Sequence, residues 1–144
     1  MKNIIQKIVM GGVVVNDNRI LVLQRSASES VLPGLWELPS GKREFLEPSM
    51  EALRREVLEE TGLNTKPIQP VSVFDYSIEK ENEIRDTTQI NFLVILTDDK
   101  SIVKISDEHQ AYKWISEHEI DSVPVSDDTK ITLKKAFRLK DLVK

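Results

Sequence analysis

The most informative part of this chain of 144 residues is Gly41–Leu63, GKREFLEPSMEALRREVLEETGL. It contains six of the fourteen Glu residues, whereas even scattering would place roughly two there. Leu53 and Val57 recur at helical spacing and predict a helix over about 48–61. Gly62 follows directly, where a left-handed glycine commonly ends a helix. The acidity of the chain is therefore concentrated around one short predicted helix.

Three of these glutamates, Glu56, Glu59 and Glu60, are spaced i, i+3 and i+4 and are neighbours on the helix surface. Like charges at this spacing destabilise a helix, and its last turn disfavours negative charge further. A bound cation would compensate, and carboxylates without His or Cys select Mg²⁺, Mn²⁺ or Ca²⁺. The alternative is a solvated acidic face that Arg54 and Arg55 partly neutralise, and helical geometry alone does not decide between the two.

The spacing of residues along the whole stretch favours the cation site over a solvated acidic face. From Gly41 the chain reads G-x5-E-x7-R-E-U-x-E-E-x-G-U, with U an aliphatic residue, and all seven fixed positions and both aliphatic ones match. This pattern, with the preceding segment 35–42, resembles the Nudix hydrolases. The small size of the chain and the lack of an added domain favour the MutT-like branch of that family. Ser40 and Leu46 replace glycines that many members have, but neither is a fixed position of the pattern.

The resemblance implies a divalent-metal site in this stretch. Glu56, Glu59 and Glu60 would be the Mg²⁺ ligands, with the carbonyl of Gly41 as a further ligand and Mn²⁺ as a possible substitute. A diphosphate would bring negative charge to a cluster that is already negative. Only divalent cations between them can make such binding favourable.

Further catalytic roles follow from the same resemblance. Arg55 would orient the carboxylates by ion pairing, and Glu47 would assist at the metal site. The general base is Glu60 or Glu108, because members of the family place it differently. Glu108 lies six residues before Trp114, like a metal-binding glutamate of some triphosphate-cleaving members. A plain surface acid is the alternative for Glu108.

Three residues are candidates for binding substrate. Arg25 and Lys42 are similar to family positions that meet phosphates, although an exposed cation is the alternative for each. Asp127 begins the last predicted helix, where a helix cap is the simplest interpretation. A contact with a purine base is the other interpretation of Asp127.

The rest of the chain predicts strands separated by turns. An apolar first strand, expected to be buried on both faces, and alternation in the strand around Ile90–Leu96 indicate a sheet. The resemblance implies an α/β fold, the Nudix-type α/β/α sandwich with a mixed β-sheet, in a single domain of residues 1–144. The predicted strands are 7–15, 19–25, 35–38, 67–77, 87–97 and 111–115, and further helices are predicted at 116–120 and 127–140.

Composition excludes several classes of protein. The formal net charge is −4, which argues against a nucleic-acid binder with a basic face. The absence of Cys excludes disulfides and thiol catalysis and fits a cytoplasmic protein. The longest apolar run, Ile8–Val15, is too short to span a membrane, so no membrane partner is expected. Dimers are common in the family, which leaves a homodimer possible.

The expected function is Mg²⁺-dependent hydrolysis of a nucleoside diphosphate linked to another group. The preferred substrate is a nucleoside triphosphate, oxidised or not, cleaved to the monophosphate and pyrophosphate. ADP-ribose or another nucleotide sugar is the alternative substrate. A catalytically silent nucleotide-binding domain is the alternative from another class, although such relatives usually lose a glutamate that this chain keeps.

Overall fold

The computed structural model describes residues 1–140; residues 141–144, the end of the predicted domain, lie outside the described residues. A mixed seven-stranded sheet lies between two α-helices, which confirms the predicted α/β/α sandwich. A short 3₁₀ helix, Glu117–Ser122, precedes the last helix. The elements are β1 Asn3–Asn16, β2 Arg19–Arg25, β3 Trp36–Glu37, β4 Ser40–Lys42, α1 Ser49–Thr61, β5 Thr65–Glu79, β6 Glu83–Leu96, β7 His109–Ile115 and α2 Asp127–Leu139.

Strand β1 organises the sheet, because it pairs in parallel with β6 and antiparallel with β2 and β4. Strands β5 and β6 form a long antiparallel hairpin, and β7 pairs with the other edge of β2. Asp17 and Asn18 join β1 to β2 and both have positive φ, at 50° and 61°. Two left-handed residues in succession are typical of the tight turn that matches the twist of a hairpin.

The core consists of two clusters, one on each face of the sheet. Val14 of β1 packs with Leu53 and Val57 of α1, and Val13 packs with residues of α2 on the opposite face. Neighbouring residues of a strand point to opposite faces, so β1 holds both helices. Full burial of one Leu or Val contributes about 1.5–3 kcal/mol. These contacts fix the orientation of α1 and therefore of its glutamates.

The predicted end of α1 is confirmed. Gly62 has φ of 74°, and its N–H donates to the carbonyl of Leu58 at 2.8 Å. Ser126, and not Asp127, caps α2, because its hydroxyl accepts from the N–H of Thr129. Helices α1 and α2 have 13 residues each, and nowhere in residues 1–140 does a helix reach the length and apolarity needed to cross a membrane.

Strand β1 is longer than predicted. Residues 10–14 of the predicted strand 7–15 are buried on both faces, whereas Ile8 is 40% exposed and the strand already begins at Asn3, where Ile4 is 68% exposed. The extended pairing with β6 satisfies the backbone there without burial of the side chains. Strand β4 lies within residues 39–47, where neither a strand nor a helix is predicted, because three residues are too few to show alternation. This short strand carries Gly41 across from Met10 of β1.

Candidate active site

The candidate site lies at the last two turns of α1, beside β3 and β4. Leu53 and Val57 hold the helix against the core, so the neighbouring arc of the helix lies at the boundary between protein and solvent. Exposure differs among its glutamates. Glu60 is 6% exposed, Glu56 is partly buried and Glu59 is exposed. The cluster therefore combines a buried carboxyl with accessible ones.

Glu60 is a buried carboxyl with little compensation from the protein. The backbone N–H of Ser40 donates to its Oε1 at 2.8 Å. Burial raises the pKa of Glu60 to about 9, and the nearby carboxylates of Glu37 and Glu108 act in the same direction. The hydrogen bond from Ser40 opposes this shift only in part. Ionised Glu60 at neutral pH therefore requires a positive charge beside it.

Arg55 joins the other carboxylates of the stretch. Its Nε donates to Glu47 at 2.8 Å, and its Nη1 donates to Glu56 at 2.8 Å and to Glu59 at 3.3 Å. Its Nη2 also donates to the carbonyl of Lys42. Hydrogen bonds from Arg55 and from the Glu44 N–H lower the pKa of Glu47 to about 2. Arg55 thus makes the orienting ion pairs expected of it, and Glu47 anchors the arginine.

Gly41 allows the backbone of β4 to approach the carboxylate of Glu56 closely. A Cβ atom built at Gly41 would overlap both carboxylate oxygens of Glu56. Any side chain at this position would therefore displace Glu56. Burial raises the pKa of Glu56, although its ion pair with Arg55 acts in the opposite direction.

The structure also brings Glu108 to the cluster. This residue precedes β7 in an exposed position, and its carboxyl lies near enough to Glu60 to contribute to the raised pKa of Glu60. Its charge also contributes to the raised pKa of Glu56. Residues 108 and 60 are far apart along the chain, and the pairing of β7 with β2 brings them together. Glu108 therefore lies where a metal ligand or a general base could act.

A cleft of about 600 Å³ opens next to the cluster, on the α2 side of the sheet. Glu37 and Ser40 line it, and both are also neighbours of Glu60. Volumes of this size are usual for pockets that bind small molecules. Aromatic, cationic and polar side chains contribute to its wall: Phe74, Tyr76, Arg25, Arg85, Gln89 and Asp128.

The three predicted substrate-binding residues are placed differently. Arg25 lines the cleft and forms an ion pair with Glu37 at 3.2 Å. Lys42 is exposed, and its charge acts on Lys7 on the neighbouring strand; it is not among the cleft residues. Asp127 is also exposed and outside the cleft lining, whereas its neighbour Asp128 belongs to it.

Glu37 and His109 form a side-chain pair that was not predicted from the sequence. The His109 ring is buried, and its Nε2 lies 2.9 Å from Glu37 Oε2. His109 stands opposite Arg25 in the register of β2 and β7, so both side chains reach the same carboxylate, that of Glu37. The nearest sequence signal was the position of His109 directly after Glu108. That neighbourhood does not identify Glu37, which lies 72 residues away.

The residues of the cluster fit a hard divalent cation. Glu56, Glu59 and Glu60 offer only oxygen donors, and buried Glu60 requires a nearby positive charge to ionise. Within residues 1–140, no three acidic or histidine side chains yet converge with the spacing of metal ligands. Arg55 holds Glu56 and Glu59, while Ser40 holds Glu60, so coordination requires rotation of these side chains.

Comparison with known proteins places this site in a family. The family model described as the NUDIX domain matches residues 6–137. The nucleoside triphosphatase NudI of Escherichia coli O139:H28 is 30% identical over 143 residues, covering 96% of this chain and 99% of that protein.

Two solved structures are similar over nearly their whole length. The MutT protein of Methanosarcina mazei Go1 has a TM-score of 0.73 at 26% identity and covers 97% of this chain and 96% of its own. The MutT NUDIX hydrolase of Burkholderia pseudomallei has a TM-score of 0.72 at 27% identity and covers 91% and 98%. The chain with the Glu56–Glu60 cluster and its adjoining cleft belongs to the Nudix family of hydrolases.

Proposed function

We propose that the protein hydrolyses nucleoside triphosphates to the monophosphate and pyrophosphate, with Mg²⁺ held by the glutamates of α1. The observation that carries this proposal is the buried carboxyl of Glu60, which lies among other carboxyls beside a cleft of nucleotide size. Acidic side chains alone would repel a triphosphate, so binding requires a cation between them. The similarity to a nucleoside triphosphatase supports this choice of substrate.

Each residue of the cluster has a defined part in this proposal. Glu56, Glu59 and Glu60 would hold the cation together with the carbonyl of Gly41. Bound Mg²⁺ supplies neutralisation of charge on the phosphate oxygens and acidifies the attacking water. Arg55 holds Glu56 and Glu59 near the site through its ion pairs, and both side chains would turn towards the cation when it binds. The side chains of α1 would thus hold the cation that offsets their own negative charge towards the phosphates.

The phosphates and the attacking water also require groups outside α1. Arg25 and Arg85 line the cleft and supply positive charge for the phosphate chain. The proton of the attacking water passes to Glu108 or to Glu60, the two carboxyls that interact with each other. Glu108 is accessible to solvent, which suits a group that must release the proton again.

The variant Glu108→Gln tests the role of the loop before β7. We expect turnover to fall at least tenfold, because general acid–base groups typically contribute about 10²–10⁴-fold. Steady-state kinetics would be compared with Asp107→Asn, which alters the neighbouring exposed acid. If Glu108→Gln and Asp107→Asn both retain wild-type turnover, Glu108 is a surface residue and Glu60 remains the candidate base.

A panel of substrates tests the proposed reaction. Purified protein would be given nucleoside triphosphates, their oxidised forms, ADP-ribose and dinucleoside polyphosphates with Mg²⁺ or Mn²⁺. We expect the highest kcat/KM for a nucleoside triphosphate, with pyrophosphate and monophosphate as products. Glu59→Gln protein, purified in the same way, measures any contaminating phosphatase.

Other outcomes of the panel have definite meanings. A higher kcat/KM for ADP-ribose would replace the triphosphate proposal with a nucleotide-sugar pyrophosphatase. Orthophosphate in place of pyrophosphate would show cleavage at the other anhydride bond. If no compound of the panel is hydrolysed above the Glu59→Gln background with either cation, the domain is catalytically silent.

A further inference from the structure

Five hydrogen bonds in series run from the cleft to the first turn of α2. They pass along side chains of β5 and β6 on the α2 face of the sheet. The last of them ends at a backbone carbonyl of the helix. The bonds join Tyr76 to Gln89 at 3.3 Å, Gln89 to Asn91 at 2.8 Å, Asn91 to Ser72 at 3.1 Å, Ser72 to Thr132 at 2.7 Å, and Thr132 to the carbonyl of Asp128 at 2.9 Å.

The donor and the acceptor of each bond can be assigned by starting from the last bond, at the carbonyl of Asp128. A carbonyl oxygen can only accept, so the hydroxyl of Thr132 donates to Asp128. The hydroxyl proton of Thr132 is then used, and Ser72 must donate to Thr132. Ser72 in turn can only accept from Asn91, which therefore turns its Nδ2 towards Ser72. Each hydroxyl has only one proton to donate, so the donor of one bond determines the donor of the next.

The roles of Gln89 and Tyr76 follow from the orientation of Asn91. Asn91 faces Gln89 with its Oδ1, so Gln89 must donate through Nε2. The Oε1 of Gln89 is left facing Tyr76, whose hydroxyl is the donor of this last bond. The phenolic proton of Tyr76 is therefore committed to the protein. What the Tyr76 oxygen can still offer to the cleft is a lone pair.

Burial makes this arrangement difficult to change. The side chains of Asn91 and Thr132 are fully buried, and Gln89 is 8% exposed. Reversal of one amide would leave buried donors and acceptors unpaired, which is energetically costly. Gly11 of β1 provides the space, since a Cβ atom there would overlap Oδ1 of Asn91. The series is thus packed into one orientation.

We propose that Tyr76 determines specificity by accepting a hydrogen bond from the nucleoside part of the ligand. This inference rests on the proposed nucleotide substrate. Tyr76 and Gln89 both line the cleft, and ionised phosphate oxygens have no proton to donate to an acceptor. The donor must therefore be an N–H of the base or a hydroxyl of the sugar. Gln89, Asn91, Ser72 and Thr132 are positioning residues that keep Tyr76 in this role.

The variant Tyr76→Phe tests the proposal directly. Binding of nucleoside monophosphates would be measured by calorimetry, and hydrolysis of the matching triphosphates by kcat/KM. Loss of the hydrogen bond should reduce the affinity for the preferred ligand by about tenfold. The comparison ligands lack one donor each, through removal of an exocyclic amine, methylation of a ring N–H, or removal of the 2′- or 3′-hydroxyl. One analogue will lack the group that donates to Tyr76, and Tyr76→Phe should reduce the affinity for that analogue by less than about twofold. The identity of this analogue shows whether the donor belongs to the base or to the sugar.

A second pair of variants tests the positioning residues. Thr132→Ser keeps the hydroxyl and should retain the wild-type preference among these ligands, whereas Thr132→Val removes it and should reduce that preference severalfold. Melting curves establish that each variant is folded. An equal effect of Tyr76→Phe on every ligand, or no effect on any, would overturn the inference. Because monophosphate binding needs no turnover, this result is separate from failure of the proposed hydrolysis.

Discussion

Glu60→Gln should reduce nucleoside triphosphate hydrolysis by about a thousandfold or more. Glutamine has nearly the same shape and can still accept the hydrogen bond from Ser40, but it cannot carry the negative charge that holds a cation. Metal ions supply several kcal/mol of charge stabilisation to a transition state, and each 1.36 kcal/mol is tenfold in rate. Steady-state kinetics at saturating Mg²⁺ measure the loss. Turnover within a few-fold of wild type would remove Glu60 from the metal site.

Stability provides the control that distinguishes this loss from misfolding. The pKa of Glu60 is about 9 in the folded protein, above its ordinary value of 4.5. Between these values the folded state binds more protons than the unfolded chain, so the free energy of unfolding falls as pH rises. Metal-free Glu60→Gln should therefore be more stable than metal-free wild type, with a difference in Tm that grows from pH 5 to pH 9. Parallel curves for the two proteins would show that Glu60 is not buried as described.

Gly41→Ala should lower kcat/KM by about a hundredfold while the protein stays folded. The added methyl group would overlap the carboxylate of Glu56, and the flexible end of that side chain is what must move. Disturbance of the groups that orient metal ligands typically costs about 10–100-fold in metal affinity or activity. Kinetics as a function of Mg²⁺ concentration measure the effect, and melting curves check the fold.

A double-variant cycle shows whether Gly41 acts through Glu56. If it does, Gly41→Ala combined with Glu56→Gln should be no slower than Glu56→Gln alone, because both changes remove the same interaction. A loss equal to the product of the two single losses would mean that the methyl group disturbs something other than Glu56.

The clustering of the α1 glutamates could be predicted from the sequence because its members are close along the chain. Glu56, Glu59 and Glu60 lie on one helix, and helical spacing places them on neighbouring positions. The glycine that ends α1 could be predicted for the same reason, since a cap is a local feature. The predicted place of Glu108 depended on the family resemblance, because only the strand pairing brings it to Glu60.

The wall of the cleft could not be predicted, because it depends on contacts between distant residues. Glu37 and His109 are 72 residues apart, and Ser72 and Thr132 are 60 apart. Hydrophobic periodicity indicates which face of a strand is buried but not which strand lies beside it. Asn91 is a polar residue within the apolar second half of β6, residues 90–96, and its hydrogen bonds become apparent only when β5, β6 and α2 are packed together.

We propose that the α1 glutamates act through a divalent cation. The most direct measurement is nucleoside triphosphate hydrolysis by protein freed of metal by exhaustive chelation, before and after Mg²⁺ is added back. We expect no turnover above that of Glu60→Gln in the metal-free protein, and saturable recovery of full activity as Mg²⁺ is titrated. Full turnover in the continued presence of excess chelator would contradict the claim.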